Sequence, residues 1–443
     1  MGLSGNIVAE SNIRKFNEAH PEFALDIGKT GNDDDDTLWK DTRHAEKLFT
    51  EMQINRNRMI PEDRWMPDVR SIWKAWKNWM EDNKFIDFTS MLERVLEYKM
   101  CPDIDILFVD EAQDLTPLQL AIVEKWSEKV NQTVFAGDSD QGIYKFAGTV
   151  PEAFINLKHD WSHHLDQSYR VPAAVREYSR KIITLCKNRD DTDYKPVSKD
   201  MAEYKGKGQV YRCFSPDMSL PGTHMILCRC KYQLKRWMAV LEQNNILWHN
   251  PYRPEDLSWN PTLTSSWTAA QTYCDLMAGR EVSPERFVKM VEKLKPGFYK
   301  RGSKKQIKER MWTKSDKIDI FNLIMMGFNA DFVERTHAVA DVLSLTDRVA
   351  RLLPRSSNLD EMAAFFSGKK TCIVGTVHSV KGGEAEHVWL DTSLPPIIWR
   401  EIRQYPEAFY DECRVAYVAA TRAKQTLGLV STNNWSPVLS QVI

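Results

Sequence analysis

Two adjacent carboxylates, Asp110 and Glu111, follow the apolar run Ile106-Leu107-Phe108-Val109 and are followed in turn by Ala112-Gln113-Asp114. An apolar strand that delivers acids to its C-terminal end puts them where ligands bind in open α/β sheets. The first acid can hold Mg²⁺, and the second can orient and deprotonate an attacking water. An isolated Asp-Glu pair after a strand can equally cap the next helix, but the full D-E-A-Q-D string is much more specific.

Four further strings carry polar and aromatic groups in short range. Gly137-Asp138-Ser139-Asp140-Gln141-Gly142-Ile143-Tyr144-Lys145-Phe146 follows a second apolar run and offers a polar sensor, Gln141, beside an aromatic platform, Tyr144 and Phe146. By itself it reads as a Gly/Asp-rich turn. Leu165-Asp166-Gln167-Ser168-Tyr169-Arg170 sets a ring suited to base stacking beside a guanidinium suited to phosphate. Far downstream, Thr376-Val377-His378-Ser379-Val380-Lys381-Gly382-Gly383-Glu384 mixes glycines with His, Lys and Glu. The last string, Asp411 to Ala423, carries Arg414 and Arg422 near one face of a predicted helix. A buried arginine needs an anionic partner, and a triphosphate between two domains is a good one. Surface salt bridges on an amphipathic helix are the plainer alternative.

The elements that must position these groups are legible in outline. From Asp103 onward, short apolar runs alternate with helical patterns, which predicts α/β units with a parallel sheet. Ile104 to Val109 reads as a buried strand, Thr133 to Ala136 as a second, and Leu118 to Lys129 as the helix between them. Thr116-Pro117 starts that helix, and Val171-Pro172 opens another. A second α/β region is expected at Gln209 to Phe214, Met225 to Cys230, Thr371 to Gly375, His387 to Leu390 and Leu427 to Val430. The first hundred residues read as helical, with Ile72, Trp73, Trp76, Trp79 and Met80 on one amphipathic face. That face fits core packing better than a base-stacking ladder. The acidic run Asp33 to Asp36 reads as a solvated turn.

Composition narrows the class. The chain has 443 residues, 42% hydrophobic and 27% charged, with a formal net charge of −1. That is an ordinary globular balance, with length for about three domain-sized units. No run of about 18 apolar residues suggests a membrane span, and no secretory leader is visible, so a cytoplasmic setting is expected. The eight cysteines form no C-x-x-C pair and read as reduced thiols. Near-neutral charge argues against a dedicated nucleic-acid binder. Between Lys293 and Lys317, however, lysines and arginines, Lys304 and Lys305 among them, interleave with Phe298, Tyr299 and Trp312. Such a stretch suits a phosphate backbone with bases stacking alongside, or else a solvated helix face.

Taken in order, the five strings resemble motifs II to VI of the UvrD/Rep/PcrA-like superfamily 1A DNA helicases, and Ile86-Asp87-Phe88-Thr89-Ser90-Met91-Leu92 looks like the family segment that returns from its first helical insertion. The resemblance implies an α/β fold of two RecA-like domains, the first N-terminally incomplete, with helical insertions. It implies residues 1–85 as an insertion of the 1B kind, 86–175 as the rest of the first motor domain, 176–254 with 346–443 as the second, and 255–345 as a small basic insertion of the 2B kind. ATP and Mg²⁺ are the implied cofactors, and single-stranded DNA and single/double-strand junctions the implied partners, in replication or repair. Asp110 resembles the Mg²⁺ ligand, Glu111 the catalytic base, Gln141 the γ-phosphate sensor, and Arg170 and Arg422 the arginine fingers. Tyr169 resembles the adenine-stacking ring and Glu384 the ribose contact, with Arg414 joining the nucleotide site. Phe146, Tyr144, His378, Lys304 and Lys305 are the implied DNA contacts, and stepping in the family runs 3′ to 5′.

There are departures. Ala147 stands where the family usually has Arg, and Lys381-Gly382-Gly383-Glu384 replaces a K-G-hydrophobic-E pattern. The phosphate loop G-x-x-x-x-G-K-[ST] is not found: the one Gly-Lys-Thr is Gly28-Lys29-Thr30, and Phe23 sits where its first glycine should be. The expectation is an incomplete motor, with the loop on a missing N-terminal segment or a separate chain, and with exposed sheet edges that invite a partner. The alternative is a non-hydrolysing single-stranded DNA-binding or scaffold remnant.

Overall fold

The computed structural model describes residues 6–25, 44–313, 315–334, 337–353, 358, 361, 365–366, 370–430 and 435–442. Gly28-Lys29-Thr30 and Asp33 to Asp36 lie outside the described residues. The architecture is mixed α/β, and the chain divides into two units: Met1–Asp217 with Cys228–Tyr232 and Thr376–Ile443, and Met218–Leu227 with Gln233–Gly375.

In the first unit, β1 (Asn6–Ile7) leads into α1 (Glu10–Ala19), followed by α2 (His44–Asn57) and α3 (Pro67–Asn83). Pro67 opens α3 at its first turn, where its missing N–H costs nothing, and Lys84 closes it in the left-handed region. The expected apolar face of α3 is buried in full, together with Phe16, Leu48 and Met52, so the tryptophans are core and stack on no base. Trp76 meets Phe16 edge-on at 4.9 Å, and its Nε1 donates to Asp87 at 2.9 Å. Asp87 follows β2 (Phe85–Ile86) and caps α4 (Phe88–Glu97) by accepting the Ser90 N–H at 2.7 Å. Buried Arg56 clamps this corner, reaching Asp87 and Glu93 at 2.7 Å each.

Next, β3 (Ile106–Val109), α5 (Pro117–Ser127) and β4 (Gln132–Phe135) form a parallel β-α-β unit, with Ile106 opposite Gln132 and Val109 opposite Phe135. Thr116 and Gln119 make the reciprocal cap that the Thr-Pro start implies. One expectation fails here. The Ile104–Val109 run is not a buried strand: Ile106 is 47% and Phe108 73% exposed, and only the alternate residues Leu107 and Val109 are partly covered. The physical reason is that this sheet has two strands among the described residues, whereas parallel strands are ordinarily covered on both faces. α6 (Ala173–Ile183) follows, beginning at Pro172 as expected.

The larger sheet comprises β5 (Gln209–Cys213), β6 (His224–Cys228), β7 (Leu247–His249), β8 (Thr371–Thr376), β9 (Ala385–Asp391) and β10 (Ala423–Val430). Its order is β5-β10-β9-β6-β8-β7, and the β5/β10, β10/β9 and β7/β8 ladders are parallel. The expected strands are all present with shifted ends. β6 stops at Cys228, which leaves Arg229 and Cys230 beyond it, and β7 was not foreseen.

The second unit contains α7 (Ser265–Met277), α8 (Pro284–Lys293) and α9 (Ser303–Glu309). Phe287, Phe328 and Phe332 form an aromatic core, with Phe328 and Phe332 at 5.0 Å. In the first unit, α10 (Pro406–Ala420) packs on α6 and buries Glu412 through Ala420. Among the described residues, no helix is long and apolar enough to cross a membrane.

Candidate functional site

Asp110 directly follows β3 with its carboxylate exposed, and its Oδ1 accepts the Glu111 N–H at 2.9 Å. Glu111 turns the chain in the left-handed region, at φ 51°, which costs a residue with a side chain of order 1–3 kcal/mol. Its carboxylate accepts from Gln113 Nε2 at 2.5 Å. Gln113 is buried, and its Oε1 accepts the Asp138 N–H at 2.9 Å. The loops carrying the two strings therefore run very close together. A Cβ on Gly137 would lie 2.5 Å from Gln113 Oε1 and 2.9 Å from the Phe154 ring, so the position admits only glycine without a shift.

Asp138 then organises the turn Ser139–Gln141, its Oδ1 accepting the Asp140 N–H at 3.0 Å and its Oδ2 accepting Gln141 Nε2 at 2.7 Å. On the far side of Gln141, Oε1 accepts from Arg422 Nη2 at 3.1 Å. Arg422 is 1% exposed, anchored by the Val418 carbonyl at 3.0 Å, and forms no ion pair with a carboxylate among the described residues. Burial, and then the charge of Arg170, push its pKa down to about 10. Arg170 in turn keeps a buried Nε without a partner. Glu111 and Asp138 act on Arg422 only through space, and two mutually repelling guanidiniums without a direct ion pair among the described residues favour an anion between them.

Arg414 and Arg422 do not share a helix face as expected. α10 ends at Ala420, and Arg422 lies past it, turned back onto the last turn. Arg414 is also buried but donates to the Asn188 carbonyl, with Asp411 at 3.7 Å. Next to it, Arg189 grips Asp140, its Nη2 2.7 Å and its Nε 3.1 Å from the two carboxylate oxygens. Sequence reasoning missed this pair. Arg189 sits in a polar loop with no periodic signal, and its partner is 49 residues away.

Lys381 belongs to the 376–384 string and has no role implied by the resemblance. Its side chain is 7% exposed, contacts Asp114, and lies 3.6 Å from Glu111 Oε2. Burial raises the Asp114 pKa against the pull of this lysine. The same ammonium stands over the Tyr144 ring at 5.0 Å. Tyr144 meets Phe146 edge-on at 5.8 Å and donates its hydroxyl to the His378 carbonyl at 3.3 Å, while Phe146 meets the His378 ring at 5.3 Å. Phe146 is half-buried, and His378 is buried outright, with burial holding its imidazole well below the ordinary pKa and so neutral.

Two of the remaining expected site residues lie at the surface. Tyr169 is exposed, and Glu384 is exposed and paired with Lys424. In the second unit, Lys304 is turned inward. Its ammonium donates to the Leu294 carbonyl at 2.6 Å and stands over Tyr299, while Lys305 remains exposed near Glu309 at 3.8 Å.

Asp110 fits a hard cation, since its exposed carboxylate stands just past the end of a strand. No set of three or more His, Cys, Asp or Glu side chains among the described residues could hold a metal. Mg²⁺ commonly binds through one or two carboxylates plus water and phosphate oxygens, which matches this donor set.

Residues 9–162 match the UvrD/REP helicase N-terminal domain. Over that stretch the chain is similar to the UvrD-like helicases. It is 21% identical to the ATP-dependent DNA helicase Rep of Buchnera aphidicola (Acyrthosiphon pisum) over 47% of this chain and 35% of that protein. It is 23% identical to the ATP-dependent DNA helicase PcrA of Leuconostoc citreum over 26% of this chain and 17% of that one. Against the F-box DNA helicase 1 of Gallus gallus, identity is 35% over 19% of this chain and 8% of the relative. The matched stretches therefore span about a third or less of these relatives.

Proposed function

We propose that this chain provides the hydrolytic and strand-binding faces of an ATP-dependent 3′–5′ DNA helicase or translocase built on two RecA-like domains. The observation that carries the reading is the convergence of Arg422 on Gln141, beside Arg170, with neither arginine in a direct ion pair with a carboxylate among the described residues. A nucleotide's terminal phosphate satisfies both guanidiniums, and phosphoryl transfer is mainly positioning and electrostatic stabilisation. Bound Mg²⁺ at Asp110 would neutralise phosphate charge. Glu111 holds the attacking water and takes its proton, and Gln141 reads the phosphate and passes its state to the Tyr144–Phe146–His378 platform. Tyr169 stacks on adenine, and Glu384 and Arg414 complete the nucleotide's surroundings. Single-stranded DNA lies on Phe146 and Tyr144. Within the second unit, Lys305 is a separate candidate phosphate contact, and Lys304, already bonded to a carbonyl, contributes less.

No G-x-x-x-x-G-K-[ST] string stands in this sequence, and the phosphate-cradling amides and lysine are proposed to come from a further segment or a partner chain that pairs with the β3–β4 edges, unpaired among the described residues. The test is strand displacement on 3′-tailed against 5′-tailed duplex, with ATP and with Glu111→Gln as control. Displacement from the 3′ tail alone, lost in the variant, supports the motor. DNA binding indifferent to ATP throughout supports a non-hydrolysing binder instead.

A further inference from the structure

Lys381 touches both the carboxylates after β3 and the aromatic platform. Its ammonium contacts Asp114, lies 3.6 Å from Glu111 Oε2, and stands 5.0 Å above the Tyr144 ring. At 7% exposure it is enclosed, so motion of one neighbour must be taken up by the others and not by solvent. Tyr144 is tied to the same stretch of chain a second time, since its hydroxyl donates to the carbonyl of His378, three residues before Lys381. A base stacking beside Tyr144 and Phe146 therefore acts on Lys381 by two routes: through the cation–π contact and through the 378–381 backbone.

We propose that Lys381 is a positioning residue that carries occupancy of the Tyr144–Phe146–His378 platform to Glu111 and Asp114. The proposal rests on reading that platform as the DNA-binding surface. Glu111 is the responsive end: its side chain is 60% exposed and is held by Gln113 on one side and by the lysine on the other. Displacing Lys381 frees the carboxylate to turn toward a water, so strand binding would set the base before any nucleotide is cleaved.

The test needs no turnover. Hydrogen exchange of the 110–114 segment is measured in the whole chain with and without an oligothymidylate of about 15 nucleotides. DNA affinity and thermal midpoint are recorded on the same samples, for wild type, Lys381→Ala and Lys381→Arg. The expected result is a DNA-dependent change in exchange of about fivefold in wild type, abolished in Lys381→Ala and largely restored in Lys381→Arg. A lysine that merely braces the fold would alter exchange equally with and without DNA. DNA binding with no change at 110–114, or a change that survives in Lys381→Ala, overturns the proposal alone. Failure of wild type to bind the oligonucleotide overturns the platform reading and this inference with it.

Discussion

Arg422 and Gln141 are 281 residues apart in sequence, yet the guanidinium Nη2 donates to the amide Oε1 at 3.1 Å. Gln141 is at the same time held by Asp138, and Asp138 by Gln113, which donates to Glu111. A single chain of hydrogen bonds thus joins the arginine to the proposed base. Gln141→Ala breaks it at the centre, leaving Arg422 without its amide partner. In a system that hydrolyses ATP, turnover should fall roughly 10²-fold, with single-strand affinity nearly unchanged. Steady-state hydrolysis and fluorescence anisotropy on the same preparation check this.

Gly137 faces Gln113 at a separation that excludes a Cβ. Gly137→Ala should push Gln113 off the Asp138 amide and destabilise the first unit by about 1–3 kcal/mol, the usual cost of overpacking. Chemical denaturation measures it.

Arg56 is buried against Asp87 and Glu93. Truncation to Ala strands two acids and should cost about 3–5 kcal/mol. The pH dependence has a definite sign. Burial alone would raise the Asp87 pKa, but Arg56 and the Ser90 contacts outweigh it and bring the pKa down to about 2. A carboxylate depressed on folding contributes stability that is fully present above its unfolded pKa of roughly 4. That contribution is lost as pH falls toward 2. Asp87→Asn should flatten the acid limb of the stability curve between those values while leaving a lower plateau near neutrality.

Phe108 is 73% exposed on the face of the two-stranded sheet. Phe108→Ser should change stability by less than about 0.5 kcal/mol, since little packing is lost. It should also reduce self-association at high concentration, because an exposed apolar strand is a template for pairing. Sedimentation velocity separates the two effects.

Much of this was legible locally. The Thr116-Pro117 start of α5 and the tryptophan face of α3 follow from capping chemistry and a 3.6-residue period, both of which act within one turn of helix. The exposure of Phe108 was not legible in the run itself, because Ile-Leu-Phe-Val reads the same whether or not other strands flank it. Arg422 was expected on the helix face of Arg414; the helix stops at Ala420, and boundaries of one or two residues decide where such a side chain points. Lys381 and Asp114 meet across 267 residues of sequence, and Arg189 and Asp140 across 49. No spacing rule connects residues that only the tertiary fold brings together, so the strings announced their chemistry but not their wiring.

The most direct measurement is ATP hydrolysis by the chain, with and without single-stranded DNA, beside Arg422→Ala. The account predicts DNA-stimulated turnover, in the chain itself or once a phosphate-loop segment is supplied, that falls roughly 10³-fold or more in the variant. Turnover equal in wild type and Arg422→Ala would contradict it, as would no turnover in a reconstitution that binds both ATP and DNA.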